Sequence, residues 1–205
     1  MEKRKKVLGI TGAVGAGKST VLSYLKNNYQ AYVIEADLVA HELMEPGKPC
    51  YTKIVETFGR EILNQDKTID RKKLSDLVFC TSNRILKLNE IVHPEVKKRI
   101  REIIEREKKR GEVSLFVLEA ALLIEEHYEE ICDEIWYLYV EEETRTKRLI
   151  SSRGYTKEKV EAIRKKQLSD KEFREHCQFV VDNTSEIVEN TYKQIDRGLI
   201  EHEFL

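Results

Sequence analysis

One segment near the start of the chain constrains its fold more than any other: residues 12–19 read G-A-V-G-A-G-K-S. Glycines at this spacing let backbone N–H groups turn towards an anion. An apolar run that predicts a strand precedes the segment, and a helix that begins near Lys18 follows it, with its positive dipole end directed at the same anion. The pattern therefore predicts a phosphate-binding loop between a strand and a helix.

The loop supplies most of what a nucleoside triphosphate needs. Lys18 would neutralise the β and γ oxygens, and the Ser19 hydroxyl would hold Mg²⁺. The predicted nucleotide-binding residues are Gly12, Val14, Gly15, Ala16, Gly17, Lys18, Ser19 and Thr20. A glycine-rich turn without a ligand is the alternative, but the complete motif in the correct setting argues against it.

Composition narrows the class of protein. The chain has 205 residues, of which 36% are charged and 40% hydrophobic, and its net charge is -1. This length suits one α/β domain with an insertion, and the charge balance favours neither nucleic acid nor a membrane as a partner. We expect neither a signal peptide nor a membrane span, and we expect a cytoplasmic protein. The four cysteines form no C-x-x-C pair, so reduced, mostly buried thiols are expected.

Five short apolar runs predict strands, and helical patterns separate them. The runs are residues 7–11, 31–35, 114–119, 134–140 and 178–182. Their continuous apolarity fits strands that are covered on both faces of a parallel sheet. The sequence thus predicts an α/β fold with a five-stranded parallel sheet flanked by helices.

A long helical insertion is predicted over residues 38–110, between core segments 1–37 and 111–205. Apolar residues three or four positions apart form one stripe along its second half: Ile85, Leu88, Val92, Val96, Ile100 and Ile103. Pro94 is expected to start a new helix segment, with His93 outside helical geometry. Because ligands of open α/β sheets bind at the carboxyl ends of strands, this insertion is the candidate substrate-binding region.

Residues 144–176 predict a short helical lid. Gly154 would end a first helix, Thr156 would cap a second, and Ser169 with Glu172 would form a capping box for a third. The segment is rich in Arg and Lys, as a lid that closes on phosphates requires. A solvated charged face is the alternative interpretation.

Side chains outside the loop complete the candidate chemistry. Asp37 follows the second predicted strand, where a carboxylate can accept a hydroxyl proton or bind Mg²⁺ through water; a helix N-cap is its structural alternative. Glu119 ends the third strand, at the position of the acidic magnesium ligand in P-loop enzymes, and Glu35 is a second candidate for the metal. Arg148 and Arg153 in the lid could clamp β and γ oxygens.

The chain resembles dephospho-coenzyme A kinases over residues 7–195. The ordered set that carries the resemblance is T-G-x-x-G-x-G-K-S-T at 11–20, E-A-D…H-x-L at 35–43, F-G…I-D-R-x-x-L…V-F at 58–79, I-x-H-P at 91–94, L-L-x-E at 122–125, then Thr144, Arg148, Arg153, Gln167 and Asp182-Asn183. Many enzymes share the loop alone, whereas the full ordered set is specific.

This resemblance implies ATP-dependent phosphorylation of the ribose 3′-hydroxyl of dephospho-coenzyme A, the last step of coenzyme A biosynthesis. It implies a P-loop kinase with ATP and Mg²⁺ as cofactors and a small-molecule substrate, and it indicates no obligatory protein partner. Asp37 would match the acidic residue at the acceptor hydroxyl, and Arg148 the lid arginine. Asp37, His41 and His93 are the candidate substrate-binding residues, with packing or a helix-surface position as the alternative for both histidines.

Several positions depart from the family's pattern. Glu35 replaces the first Asp of D-A-D, Glu119 stands where Asp is usual, and Ala121 stands where Pro is usual. Cys177-Gln178 replaces Ala-Asp before the last strand. A glutamate can still reach Mg²⁺, so these departures bear on the metal ligands more than on the function.

Two other classes of protein fit less of the sequence. Another small-molecule P-loop kinase would share the loop and lid, but it would not be expected to carry I-x-H-P together with F-G…I-D-R. A GTPase would read guanine with an N-K-x-D segment, and the chain has none.

Overall fold

Five short strands form one parallel sheet in the computed structural model, which describes residues 5–205. The strands are β1 (Val7–Thr11), β2 (Tyr32–Glu35), β3 (Phe116–Glu119), β4 (Glu134–Tyr139) and β5 (Phe179–Asp182). Their order is β2-β3-β1-β4-β5, which puts β1 in the middle of the sheet. The predicted strands are confirmed, with end shifts of the size that assignment of strand ends normally shows.

Helices occupy most of the chain between the strands and after the last one. They are α1 (Lys18–Tyr29), α2 (Ala36–Leu43), α3 (Pro49–Phe58), α4 (Arg71–Val78), α5 (Ser82–Arg110), α6 (Glu142–Arg153), α7 (Lys157–Arg164), α8 (Asp170–His176) and α9 (Val188–Glu201). Short 3₁₀ turns occur at Arg60–Ile62 and Tyr128–Glu130. Across the described residues, no helix has both the length and the apolarity needed to cross a lipid bilayer.

The main core surrounds the central strands. β1 is buried along its whole length. Trp136 of β4 is fully buried, and its ring centroid lies 4.8 Å from that of Phe179 and 5.6 Å from that of Phe204. On α9, a Cβ at Gly198 would lie 2.7 Å from the Trp136 ring, so this helix packs on the sheet where it has no side chain. This packing holds α9 against β4 and β5.

The chain divides into two compact units. Residues up to Ile34 and from Glu107 onward form the first unit, which holds the sheet except its Glu35 end. Residues Glu35–Arg106 form the second unit, which is helical. The predicted insertion covered residues 38–110, and both observed boundaries lie a few residues earlier in the chain. As a result, α2 belongs entirely to the helical unit.

The helical unit has its own buried residues. Cys50 and Ile54 of α3 are fully buried, and Leu74 of α4 is nearly so. After the 3₁₀ turn, an isolated antiparallel bridge pairs Leu63 with Ile69. These contacts give the unit a small hydrophobic core without a sheet.

The expected break at Pro94 is wrong. α5 continues from Ser82 to Arg110 with Pro94 inside it, and His93 is helical. A proline within a helix loses one hydrogen bond and costs about 3 kcal/mol. The predicted apolar stripe continues on both sides of the proline, with Val92 and Val96 buried, and this packing offsets the local cost.

Local signals correctly predicted the three helices of the lid segment. Gly154 has a φ of 62° at the C-cap of α6, and the Thr156 hydroxyl accepts the Lys159 N–H at the start of α7. Ser169 and Glu172 form the expected capping box of α8. Each cap involves residues within five positions of one another, which is why the sequence alone indicates them.

The cysteines are free thiols. Cys50 and Cys132 are buried, Cys177 is partly buried and Cys80 is exposed. Burial raises the pKa of Cys50 and Cys132 above the ordinary value and that of Cys177 to about 12. These three thiols are therefore protonated at neutral pH and serve as packing groups.

Candidate phosphate-binding site

The loop between β1 and α1 has the backbone of a phosphate cradle. Gly12, Gly15 and Gly17 have φ values of 149°, 88° and 89°. Gly17 is the N-cap of α1 and has no side chain to accept a bond from the amides of the first turn. The Thr20 N–H donates to the Gly17 carbonyl at 3.1 Å, which leaves the Lys18 and Ser19 amides of this turn for an anion. The dipole of α1 also favours an anion there.

Lys18 lies at the centre of the site. Its Nζ donates to the Gly12 carbonyl at 2.8 Å and lies 3.5 Å from Glu119 Oε1. The side chains of Lys18 and Glu119 are only 17% and 13% exposed. The parallel register pairs Glu119 with Ile10, so the carboxylate ends β3 beside the strand that leads into the loop.

The donor set suits Mg²⁺ bound together with a nucleotide. Ser19 is exposed in the first turn of α1, and Glu119 supplies a carboxylate at the same sheet edge. Among residues 5–205 there is no group of three or more His, Cys, Asp or Glu side chains that could hold a metal by themselves. Mg²⁺ commonly uses one or two protein oxygens with water and substrate phosphates, so this small set fits.

Asn183 contacts the loop from the opposite end of the chain. It follows β5, is 7% exposed, and its Nδ2 donates to the Ala16 carbonyl at 2.8 Å. A Cβ at Gly17 would lie 2.5 Å from the same Nδ2. Asn183 belongs to the ordered sequence segments, but no local pattern indicates its role, because its partner lies far away along the chain.

Gly17→Ala is expected to weaken ATP binding about tenfold or more. An alanine would have to adopt a φ of 89° and place its Cβ against Asn183, and both effects distort the loop. Calorimetric titration with ATP and Mg²⁺ measures the change. Gly47→Ala is the matched control. Gly47 has a φ of 82°, and apart from its two chain neighbours no atom of residues 5–205 lies within 4 Å of the position that a Cβ would occupy. An equal loss of affinity in both variants would contradict the assigned role of the contact.

The lid segment also reaches the loop. The Val14 N–H donates to Oε1 of Gln167, between α7 and α8, at 3.3 Å. Gln167 and Arg145 help line a cavity of 530 Å³ at the carboxyl end of β4. Burial, with Asp170 nearby, raises the pKa of Tyr137 in the same cavity, so its phenol is a neutral hydrogen-bond group. Residues of the predicted lid segment therefore border the predicted nucleotide site.

The two lid arginines occupy different environments. Arg148 is partly buried, and its Nη1 and Nη2 donate to the carbonyls of Asn183 and Ser185 at 2.8 and 3.2 Å. Arg153 is exposed in the last turn of α6. Arg148 thus ties α6 to the segment after β5, a contact that sequence analysis missed.

The candidate substrate residues all belong to the helical unit. Asp37 is exposed in the first turn of α2, and His41 lies four residues later on the same face. The N-cap alternative for Asp37 is wrong, because α2 begins at Ala36 and Glu35 is its N-cap. His93 is partly buried within α5.

Fold and site together define a P-loop kinase. The features that define this class are the sheet order, the central position of β1 and the G-x-x-x-x-G-K-S loop before α1. The fold is also that of the crystallised shikimate kinase from Bacteroides thetaiotaomicron, at a TM-score of 0.56 and 13% identity over 97% of this chain and 98% of that one.

Sequence relatives narrow the class to one family. The dephospho-CoA kinase family model matches residues 6–189. Dephospho-CoA kinase from Carboxydothermus hydrogenoformans is 39% identical to this chain, over 92% of this chain and 90% of its own length. Dephospho-CoA kinase from Aquifex aeolicus is 38% identical, over 94% of this chain and 95% of its own length. The chain therefore belongs to the dephospho-CoA kinase family, whose members use ATP to phosphorylate dephospho-coenzyme A in the final step of coenzyme A biosynthesis.

Solved structures agree on the fold. A Thermus thermophilus protein of known crystal structure superimposes with a TM-score of 0.81 at 28% identity, over 98% of both chains. Dephospho-CoA kinase from Campylobacter jejuni does so with a TM-score of 0.71 at 23% identity, over 97% of this chain and 98% of that one. The sheet and its flanking helices are thus the architecture of this group of structures.

Proposed function

We propose that the chain transfers the γ-phosphoryl group of ATP to the ribose 3′-hydroxyl of dephospho-coenzyme A. Family membership supports the reaction, and the observation that carries it in this chain is the pairing of Lys18 with Glu119 beside a glycine-rich loop. The hydroxyl oxygen attacks the γ-phosphorus, and the bond from that phosphorus to the β–γ bridging oxygen breaks. ADP leaves, and the hydroxyl proton passes to a protein base.

The loop side of the reaction is proposed to work through charge and backbone amides. Lys18 stabilises charge on the β and γ oxygens, and backbone amides of the loop orient the phosphates. The amides of Val14, Ala16 and Thr20 already donate within the chain, so those of Gly15, Gly17, Lys18 and Ser19 are the proposed donors. Ser19 and Glu119 are the proposed magnesium ligands, with Glu35 as the other candidate carboxylate. Bound Mg²⁺ would neutralise charge on the phosphates.

The acceptor side is proposed to belong to the helical unit. Asp37 would take the hydroxyl proton, as its match to the family's acidic residue implies. His41 shares a face of α2 with Asp37 and would contact the substrate with it. His93 in the matching I-x-H-P segment is the third proposed substrate contact.

The lid is proposed to supply further cations. Arg153 is exposed and its guanidinium would clamp β and γ oxygens. Arg148 is proposed to act from a fixed position, because its bonds to the carbonyls after β5 limit where its guanidinium can point. The cavity bordered by the lid provides room next to the loop.

A panel of acceptors tests the proposed function. We expect ADP to form fastest with ATP and dephospho-coenzyme A, and the product to carry its new phosphate at the ribose 3′ position by phosphorus NMR. Adenosine, AMP and shikimate are the competing acceptors, GTP is the competing donor, and the Lys18→Ala variant reports contaminating kinases. A preference for adenosine or AMP would replace this function with that of a nucleoside or nucleotide kinase.

A further inference from the structure

Asn183 uses both ends of its side-chain amide in buried hydrogen bonds. Nδ2 donates to the Ala16 carbonyl at 2.8 Å, and Oδ1 accepts the Thr191 hydroxyl at 2.7 Å. Asn183 is 7% exposed and Thr191 is fully buried. The backbone is fixed as well, since the Asn183 N–H donates to the Tyr139 carbonyl at 2.8 Å and its own carbonyl accepts from Arg148.

The chemistry of the partners determines which way the amide faces. A carbonyl only accepts hydrogen bonds, so the group that faces Ala16 must be the NH₂. The Thr191 hydroxyl must then donate to Oδ1. Asparagine meets both requirements. An aspartate at position 183 would instead place a carboxylate oxygen against the Ala16 carbonyl, and both of these groups only accept hydrogen bonds.

We infer that Asn183 is a positioning residue that orients the phosphate loop for ATP. The Ala16 carbonyl and the Gly17 N–H belong to one planar trans peptide, in which they point in opposite directions. Holding the carbonyl towards Asn183 therefore turns the Gly17 N–H away from it. An N–H that points away from Asn183 can donate to a phosphate oxygen, as backbone amides of such loops do.

The same contact explains why the loop approaches Asn183 so closely. A Cβ at position 17 would clash with Asn183 Nδ2. Because residue 17 is a glycine, the backbone of the loop can lie directly against the Asn183 amide. Thr191 on α9 and Arg148 on α6 hold Asn183 from two further elements. The loop is thereby oriented by Asn183 and Thr191, to which no contact with phosphate is assigned. This inference rests on the proposed function, because it assumes that the loop binds ATP.

Three variants test the inference. Asn183→Asp, Asn183→Ala and Thr191→Val are compared with the parent enzyme for the Kd of ATP with Mg²⁺, kcat, and the KM of each substrate. We expect Asn183→Asp to raise the Kd and KM for ATP about tenfold to a hundredfold and Asn183→Ala to raise them about tenfold, with the KM for dephospho-coenzyme A unchanged. Thr191→Val should raise the ATP values about threefold to tenfold, because it frees the amide to rotate.

Gln194→Ala is the matched control. Gln194 bonds both the N–H and the carbonyl of Asp182, so it fastens the same junction of β5 and α9 without reaching the loop. We expect this variant to lose thermal stability and to keep the ATP affinity of the parent. Thermal unfolding identifies any variant that does not fold. If the Asn183 variants do not fold, the ATP affinity of Thr191→Val tests the positioning role.

The outcomes separate the two proposals. Folded Asn183 and Thr191 variants that bind ATP within twofold of the parent would overturn the positioning role, as would an equal loss of affinity in Gln194→Ala. A parent enzyme that fails to bind ATP or to phosphorylate dephospho-coenzyme A would instead overturn the proposed function.

Discussion

Lys18→Ala is expected to reduce kcat about a thousandfold or more at saturating ATP. The variant removes the cation that lies against the loop and leaves Glu119 without the charge 3.5 Å away. Loss of positive charge at the transferring phosphoryl group, in a partly buried site, acts mainly on the transition state. Rapid-quench measurement of ADP formation in a single turnover gives the rate of the chemical step.

Lys26→Ala is the control for this change. Lys26 lies in the last turn of the same helix and is exposed, so its loss changes the net charge equally without affecting the loop. We expect it to react at the rate of the parent enzyme. Should Lys18→Ala retain more than about a tenth of the parent rate, the assigned role in catalysis would be wrong.

Asp37→Asn is expected to reduce kcat about a hundredfold to ten-thousandfold while the Kd for ATP stays within about twofold. The amide preserves the shape of the side chain but cannot take a proton from the acceptor hydroxyl. Steady-state kinetics with both substrates, together with direct titration of ATP, separates the two quantities.

Glu42→Gln provides the comparison on the same helix. Glu42 is an exposed carboxylate on α2 whose ion pairs are with Lys48 and Arg99. We expect little change in kcat for this variant. Equal losses of turnover and ATP affinity in Asp37→Asn would indicate a metal ligand or a structural residue in place of a base.

Much of the fold could be predicted because its signals are local. The strands β1 and β3 are apolar runs, and the phosphate loop is a contiguous motif. The caps at Gly154, Thr156 and Ser169 each involve neighbouring residues. In all of these cases the residue types nearby determine the backbone without help from the rest of the chain.

The remaining features depend on distant partners. Asn183 and Ala16 are 167 positions apart, and Arg148 finds its carbonyl partners 35 to 37 positions later. No periodicity or motif indicates such pairs. Pro94 shows the opposite case, in which a strong local signal was overridden because packing on both sides of it stabilises one continuous helix.

The ion pair between Lys18 and Glu119 has a consequence for which form of the nucleotide the enzyme accepts. An anion that approaches the ammonium group also approaches a carboxylate 3.5 Å from it. Bare ATP meets repulsion from that carboxylate, whereas ATP that already carries a divalent cation meets attraction. We therefore expect the resting pair to favour nucleotide that carries a divalent cation over metal-free nucleotide at the encounter itself.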